Sequence, residues 1–257
     1  MPFVNIFGET LTMLRKLFQT TDPASQPFVI SGSGTLGWDQ VAANLVEPGE
    51  EALVLHTGYF ADSFADCFET YGAKVTQLKA PIGDRPQLDE VEKALKEKKY
   101  KVLTVTHVDT STGVLSEIKA LSELVHKVSP ETLVIVDGVC SVGSEEIAFD
   151  DWKIDVVLTA SQKGISCPAG LSIVMASGRA IEVFKAGKVP PGSYFGSWKN
   201  WLPSTSPPTS HHRQATNTTT SNAKLRSQKT LLLRHPLPAI NPRPSHLPNP
   251  NPLQTPL

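Results

Sequence analysis

The 257-residue chain has only three cysteines, Cys67, Cys140 and Cys167, and no two of them form a CxxC pair. An odd, scattered set of this kind does not build a disulfide framework and reads as reduced thiols inside a cell. No apolar run approaches the roughly 20 residues that a membrane-crossing helix needs, and the first residues lack the charged-then-apolar layout of a secretion signal. The chain is therefore expected to be soluble and intracellular, with no membrane partner and no targeting signal recognised. No internal repeat is found.

Acidic residues are missing from the last 54 positions. Ser204 to Leu257 contains no Asp or Glu and no Phe, Trp or Tyr, yet carries six Lys and Arg, so the net charge of −1 hides a body with 18 bases against 25 acids and a tail at +6. From Pro203 onward the chain holds 11 of its 21 prolines, four of its seven histidines and the run "ATNTTTSN", with no periodic apolar pattern beyond Leu231 to Leu233. Such a segment buries too little apolar surface to offset chain entropy, and residues 204–257 are expected to form a disordered Pro/Ser/Thr/Asn-rich tail. Six bases spread without aromatic residues between them make a sparse footprint for nucleic acid, so no nucleic-acid partner is expected.

What is present upstream is a succession of apolar β-rich runs: "FVI" (28–30), "ALVLH" (52–56), "KVTQL" (74–78), "KVLTVTH" (101–107), "TLVIVD" (132–137), "IDVVLT" (154–159) and "LSIVMA" (171–176). Helical patterns lie between them. In "LDEVEKALKEKK" the apolar Leu88, Val91 and Leu95 recur at helical spacing, and in "LSEIKALSELVHKV" Leu115, Ile118, Leu121, Leu124 and Val125 share one face. Strands apolar on both faces that alternate with helices predict an α/β domain, a mostly parallel sheet with helices on both sides. Ligands of such sheets bind at the carboxyl ends of the strands.

Three features fall at those ends. "SGSGT" (31–35) follows the strand "FVI" and precedes the helical pattern "LGWDQVAANLV", where Leu36, Val41, Leu45 and Val46 suit a buried face. Glycines admit a ligand close to the backbone and the helix start offers unpaired N–H groups, a natural phosphate cradle, although glycine and serine also make ordinary turns. The spacing is neither the dinucleotide GxGxxG nor a Walker loop. Asp137 ends "TLVIVD", where a carboxylate needs a proton-donating or cationic partner unless it simply caps a helix or loop; no His, Cys or acid cluster accompanies it at metal-ligand spacing. Lys163, in "LTASQKGISCPAG" (158–170), follows another apolar strand; it is either a surface lysine or an amine placed to attack a carbonyl. Together the three meet the requirements of pyridoxal 5'-phosphate: amides for its phosphate, a carboxylate for its ring nitrogen and a lysine for its aldehyde.

At these residues the sequence resembles the class V, fold-type I pyridoxal-phosphate aminotransferases, and among them the alanine:glyoxylate (serine:pyruvate) aminotransferase family in its fungal form. The stretch "DVVLTASQKGISCPAGLSIV" carries the family's pyridoxal-lysine signature through Asp155, Ala160, Ser161, Gln162, Lys163, Gly170 and Ser172, and the similarity runs from about Phe3 to Pro203. The resemblance implies a Schiff base on Lys163, which would then carry a proton to and from the substrate, and a pairing of Asp137 with the ring nitrogen. It implies phosphate contacts from Ser33, Gly34 and Thr35 helped by Gln162, ring packing by Phe60 and Val139, and a hydroxyl from Thr110 near the ring hydroxyl. Apart from that resemblance, Phe60 and Val139 would suit any core, Thr110 could cap the following helix, and Gln162 could be a surface amide.

The same resemblance implies amino-acid and 2-oxo-acid substrates, a homodimer, and a cytosolic or peroxisomal address, although the terminal "TPL" is not a peroxisomal signal. Residues 1–203 would be an incomplete large domain. The family's substrate-gripping arginine and its small carboxy-terminal domain have no equivalent after Pro203, the opening Gly-Pro-rich segment is absent, and the abrupt change of composition suggests a truncated or misread gene product. Without the arginine clamp, weak or no activity is expected even with cofactor bound. The competing expectations are an inactive pyridoxal-phosphate-binding or dimerising fragment and a cysteine desulfurase-like enzyme, the latter lacking a nucleophilic cysteine beyond Cys167.

Overall fold

Strands with no polar face must be covered on both sides, and the helices of this chain supply that cover. The computed structural model describes residues 2–205. In chain order its elements are α1 (Pro2–Leu17), β1 (Gln26–Ser31), α2 (Thr35–Leu45), β2 (Glu51–His56), α3 (Tyr59–Thr70), β3 (Lys74–Lys79), α4 (Leu88–Glu97) and β4 (Val102–Thr106). There follow β5 (Val108–Asp109), β6 (Val114–Leu115), α5 (Ile118–Val128), β7 (Leu133–Asp137), β8 (Val156–Ala160), β9 (Leu171–Ala176), α6 (Gly178–Ala186) and α7 (Trp198–Thr205). Seven strands form one sheet in the order β1-β9-β8-β7-β4-β2-β3. The five from β8 to β3 run parallel, while β9 is antiparallel to both β8 and β1.

Two successive reversals return β1 to the direction of β8, so the loop leaving β1 opens at the same edge as the loops leaving β7 and β8. The register makes this concrete. Ser31 pairs with Leu171, Ser172 with Ala160, Leu158 with Asp137 and Asp137 with Thr106, all at one end of the sheet.

Side chains alternate across the sheet with period two and so feed two separate cores. Val54, Ile135, Leu158 and Val174 join Val41 and Leu45 of α2, Phe64 and Phe68 of α3, Ile181 of α6 and Trp198 of α7. Leu53, Leu55, Val134, Val136 and Met175 join Leu14 of α1, Val91 and Leu95 of α4, and Ile118, Leu121 and Val125 of α5. Each such side chain removed from water contributes roughly 1.5–3 kcal/mol. No described helix is long and apolar enough to cross a membrane.

Several expectations need correction. Leu115 does not extend the face of α5. It lies in β6, which pairs with β5 across a turn in which Gly113 adopts φ of 75°, and its side chain is exposed. Helix growth starts only at Ile118, because Ser116 is held to the end of β4 through its N–H to His107 O and its hydroxyl to Thr106 O. Leu88, the first residue of α4, has no preceding turn to bury it and is exposed. β3 is not apolar on both faces either; as the edge strand it has no fully buried residue. Finally, α7 runs past Pro203 to Thr205, anchored by Trp198, whose ring stacks on Phe28 at 4.9 Å and is fully buried. The disorder expected for the rest of 204–257 lies outside the described residues.

At the opposite edge of the sheet, buried Asp155 accepts hydrogen bonds from Val134 N (2.8 Å) and Ser177 Oγ (3.2 Å) and pairs with Arg179 Nη1 at 3.4 Å. Arg179 Nη2 also donates to Pro130 O and Thr132 O, tying α6 to the sheet. Arg179→Ala would leave the carboxylate buried without its cation, and because the guanidinium is one-third exposed the expected loss is about 2–3 kcal/mol, below that of a fully buried pair. Urea unfolding at neutral pH measures it, and a loss under about 0.5 kcal/mol, the size of an ordinary surface substitution, would remove this pair from the account.

Candidate active site

The carboxyl edge of the sheet holds a cleft between the start of α2 and the ends of β4, β7 and β8. The β1–α2 turn contributes Ser33, Gly34 and Thr35, and β7 and its following turn contribute Asp137, Val139 and Cys140. Beyond β8 come Ala160, Gln162 and Lys163, while Phe60 enters from α3 and Trp38 from α2. The structure thus brings together Ser33, Gly34, Thr35, Phe60, Asp137, Val139, Gln162 and Lys163. Thr110 is not on the wall. It sits in the β5–β6 turn, not at the start of a helix, and its Oγ1 lies 4.0 Å from Sγ of Cys140, which is on the wall. Phe60 rather than its exposed neighbour Tyr59 faces the cleft, the two rings meeting edge to face at 5.5 Å.

The cradle is a set of unused donors. Among the described residues, the backbone N–H groups of Ser33, Gly34 and Thr35 have no protein acceptor, whereas those of Leu36 and Gly37 turn back to Ser33 O and Gly34 O to start α2. The Ser33 and Thr35 hydroxyls are hydrogen-bonded to each other. Free amides at the positive end of an eleven-residue helix suit an anionic group. Glycine at 34 is required by contact and not by dihedral angle: a Cβ there would stand 2.9 Å from Val139 Cγ2. Glycine at 37 answers the same need, since a Cβ would stand 2.9 Å from Leu158 Cβ, and α2 therefore lies directly on β8.

Asp137 is buried, and both of its oxygens are held. Val139 N donates to Oδ1 at 3.0 Å and Trp38 Nε1 to Oδ2 at 2.8 Å. Among the described residues the carboxylate pairs with no cation, and it caps no helix. Burial pushes it up to about 6 from 3.8, opposed by the two donors and reinforced by the nearby Asp109 carboxylate. Asp109 is itself fully buried and accepts from Thr57 Oγ1 (3.1 Å), Ser111 N (3.0 Å) and Ser111 Oγ (2.6 Å), which pins the turn carrying Thr110 beneath the start of α3. Trp38 and Asp109 carry no strong mark of a site in the sequence. The only signal for Trp38 is an aromatic one turn past the cradle, and for Asp109 an acid amid threonines and serine in "THVDTST". Lys163 is exposed on the β8–β9 connection, with Ser166 N closing its turn on Lys163 O at 2.8 Å.

Unused amides at one end of the cleft, a buried carboxylate along its floor and a primary amine at its mouth form a donor set that fits pyridoxal phosphate. With the sheet topology, they define the large domain of a fold-type I pyridoxal-phosphate-dependent transferase. The chain belongs to the aminotransferase class-V family, whose model matches residues 3–194. It is 46% identical over 210 residues to alanine–glyoxylate aminotransferase 1 of Saccharomyces cerevisiae, covering 78% of this chain and 54% of that one. Its fold resembles ureidoglycine–glyoxylate aminotransferase of Bacillus subtilis with a TM-score of 0.76 at 29% identity, over 90% of this chain and 58% of that one. It resembles alanine–glyoxylate aminotransferase of a Nostoc species with a TM-score of 0.75 at 30% identity, over 90% and 59%. The chain spans about half the length of the relatives it matches.

The electrostatics give a pH test. A raised pKa means that the native form holds the Asp137 proton more tightly than the unfolded chain, so this group's contribution falls as pH rises from about 4 to about 6. Buried His107, whose Nδ1 has no partner among the described residues, is held down to about 4 by desolvation and acts in the opposite sense, weakening the fold as pH drops from about 6.5 to about 4. Comparison with Asp137→Asn cancels the His107 contribution. In the cofactor-free protein the parent should lose on the order of 2–3 kcal/mol relative to Asp137→Asn between pH 4 and pH 7, the worth of a two-unit shift. Urea unfolding across that range reads it, and a pH-independent difference would contradict a raised carboxyl.

Proposed function

We propose that this chain forms the cofactor-binding half of a pyridoxal-phosphate aminotransferase that transfers an amino group from alanine or serine to glyoxylate or pyruvate. The observation that carries the reading is the convergence of the β1–α2 cradle, Asp137 and Lys163 on one cleft from three separate strand ends. The 46% identity to the yeast alanine–glyoxylate enzyme supports this substrate class.

When bound, pyridoxal phosphate supplies an aldehyde for amine condensation and a ring that withdraws electrons from the substrate α-carbon. The protein residues do the rest. The amides and hydroxyls of Ser33, Gly34 and Thr35 hold the phosphate, with Gln162 as a further polar contact. Asp137 presents an anion to the ring nitrogen and keeps the proton there. Phe60 and Val139 exclude water from the ring faces. Lys163 Nζ would be the amine that holds the aldehyde end of the cofactor and, when free, the base that takes and returns a proton at the substrate α-carbon. Thr110, at the margin of the cleft beside Cys140, orients the ring hydroxyl. A homodimer and a cytosolic or peroxisomal location belong to the same reading.

The 54% coverage of the yeast relative favours a second reading, a fragment that binds the cofactor without turnover. The visible absorption spectrum of the full chain with pyridoxal phosphate, before and after alanine, separates the two. The expected result is a band that Lys163→Ala abolishes and that alanine converts. A Lys163-dependent band indifferent to alanine would favour the fragment, and a band that survives Lys163→Ala would refute the assignment of the lysine.

A further inference from the structure

Helix α2 begins at the cradle and, one turn on, presents Trp38, whose indole N–H is directed to Oδ2 of Asp137 at 2.8 Å. The ring is buried and stacked on Phe64 (5.5 Å between centroids, 17° between planes), which stacks in turn on Phe68 (4.8 Å, 9°). The close approach of Gly37 to Leu158 sets the helix on the sheet, so the indole has little room to rotate or retreat. A buried indole N–H requires an acceptor, and here the acceptor is the carboxylate at the floor of the cleft.

We propose that Trp38 is a positioning residue for the cofactor ring: its N–H fixes the orientation of the Asp137 carboxylate and maintains the anion that the ring nitrogen needs. The inference rests on the reading of the cleft as a pyridoxal-phosphate site. Four lone-pair sites are available on an ionised carboxylate, and Trp38 and Val139 occupy one on each oxygen, which leaves acceptor capacity for a ligand N–H. The β1–α2 turn and the helix it starts then carry both ends of the recognition, the phosphate cradle at Ser33, Gly34 and Thr35 and, one turn later, the donor that orients the ring's counter-ion.

The charged and titratable neighbours define what the indole opposes. The Asp109 carboxylate raises the proton affinity of Asp137 from the β5–β6 side, and burial acts in the same direction. Lys163 and Cys140 share the cleft wall, and His107, buried and held neutral, follows β4 with its backbone N–H on Asp137 O. Among the described residues, only Trp38 and the Val139 amide donate to the carboxylate.

Trp38→Phe keeps an aromatic ring on Phe64 and deletes the N–H. Pyridoxal-phosphate binding by parent and variant, followed by absorbance titration from pH 5 to 8, tests the proposal, with thermal unfolding as the check on folding. The variant should bind about tenfold or more weakly at neutral pH, the worth of a hydrogen bond to a charged group. Its binding should also fail at a higher pH than the parent's, a shift that altered packing alone does not produce. Indole NMR of the cofactor-free parent supplies a readout that does not depend on the variant folding: the Trp38 Nε1–H resonance should titrate with pH, and Asp137→Asn should abolish the titration. Equal affinity and equal pH midpoint in parent and Trp38→Phe, or an indole resonance that does not titrate, would overturn the proposal and leave the reading of the cleft intact. Failure of the parent to bind pyridoxal phosphate would overturn both.

Discussion

A carboxylate at the end of a fully buried strand is the constraint on which the cleft depends. Asp137 closes β7, whose five residues are all buried, and among the described residues it forms no ion pair. Burying such a group is unfavourable unless donors replace its lost water. The donors present are a backbone amide two residues on and an indole from helix α2, and the second is available only because α2 lies close against β8. That closeness in turn requires glycine at 34 and 37, where any larger residue would meet Val139 and Leu158. The anion cradle, the packing of α2 and the orientation of the carboxylate are therefore one arrangement.

Topology completes it. Because β9 is antiparallel to both its neighbours, a strand from the start of the chain lies two places from β8 and points the same way. The cradle, Asp137 and Lys163, separated by roughly 130 residues of sequence, consequently emerge at a single edge, where ligands of open α/β sheets bind. The opposite edge is given to structure, with Asp155 and Arg179 joining α6 to β7 and β8.

Much of this was legible beforehand because the signals are local. The runs at 52–56, 132–137 and 171–176 have no polar face and so could only be covered strands. Asp137 and Lys163 stood out because a charged residue at the end of such a run has few structural uses. The departures have equally specific causes. Leu115 matches a helical spacing, but the hairpin around Gly113 and the Ser116 bonds to β4 outweigh a periodicity that costs little to break. Leu88 marks a helix start, where one turn is not enough for burial. Helices α1, α3, α6 and α7 are not part of the sequence reading, although in α3 the buried Ala61, Phe64, Ala65 and Phe68 recur at helical spacing. For Thr110 the alternative of a helix cap fails because Asp109 beside it organises a turn between β5 and β6, and a buried acid leaves no mark in a polar stretch.

By itself the sequence determined the class of the fold, the strands and the residues that could meet a phosphate, a ring nitrogen and an aldehyde, because hydrophobic runs and their charged ends are written locally along the chain. Only the tertiary structure decided that those ends share one cleft, that Thr110 stands at its margin, and that Trp38 completes the environment of Asp137. Those outcomes depend on strand order and on how closely one helix approaches the sheet, and contacts between residues 99 positions apart, such as Trp38 and Asp137, have no local signature.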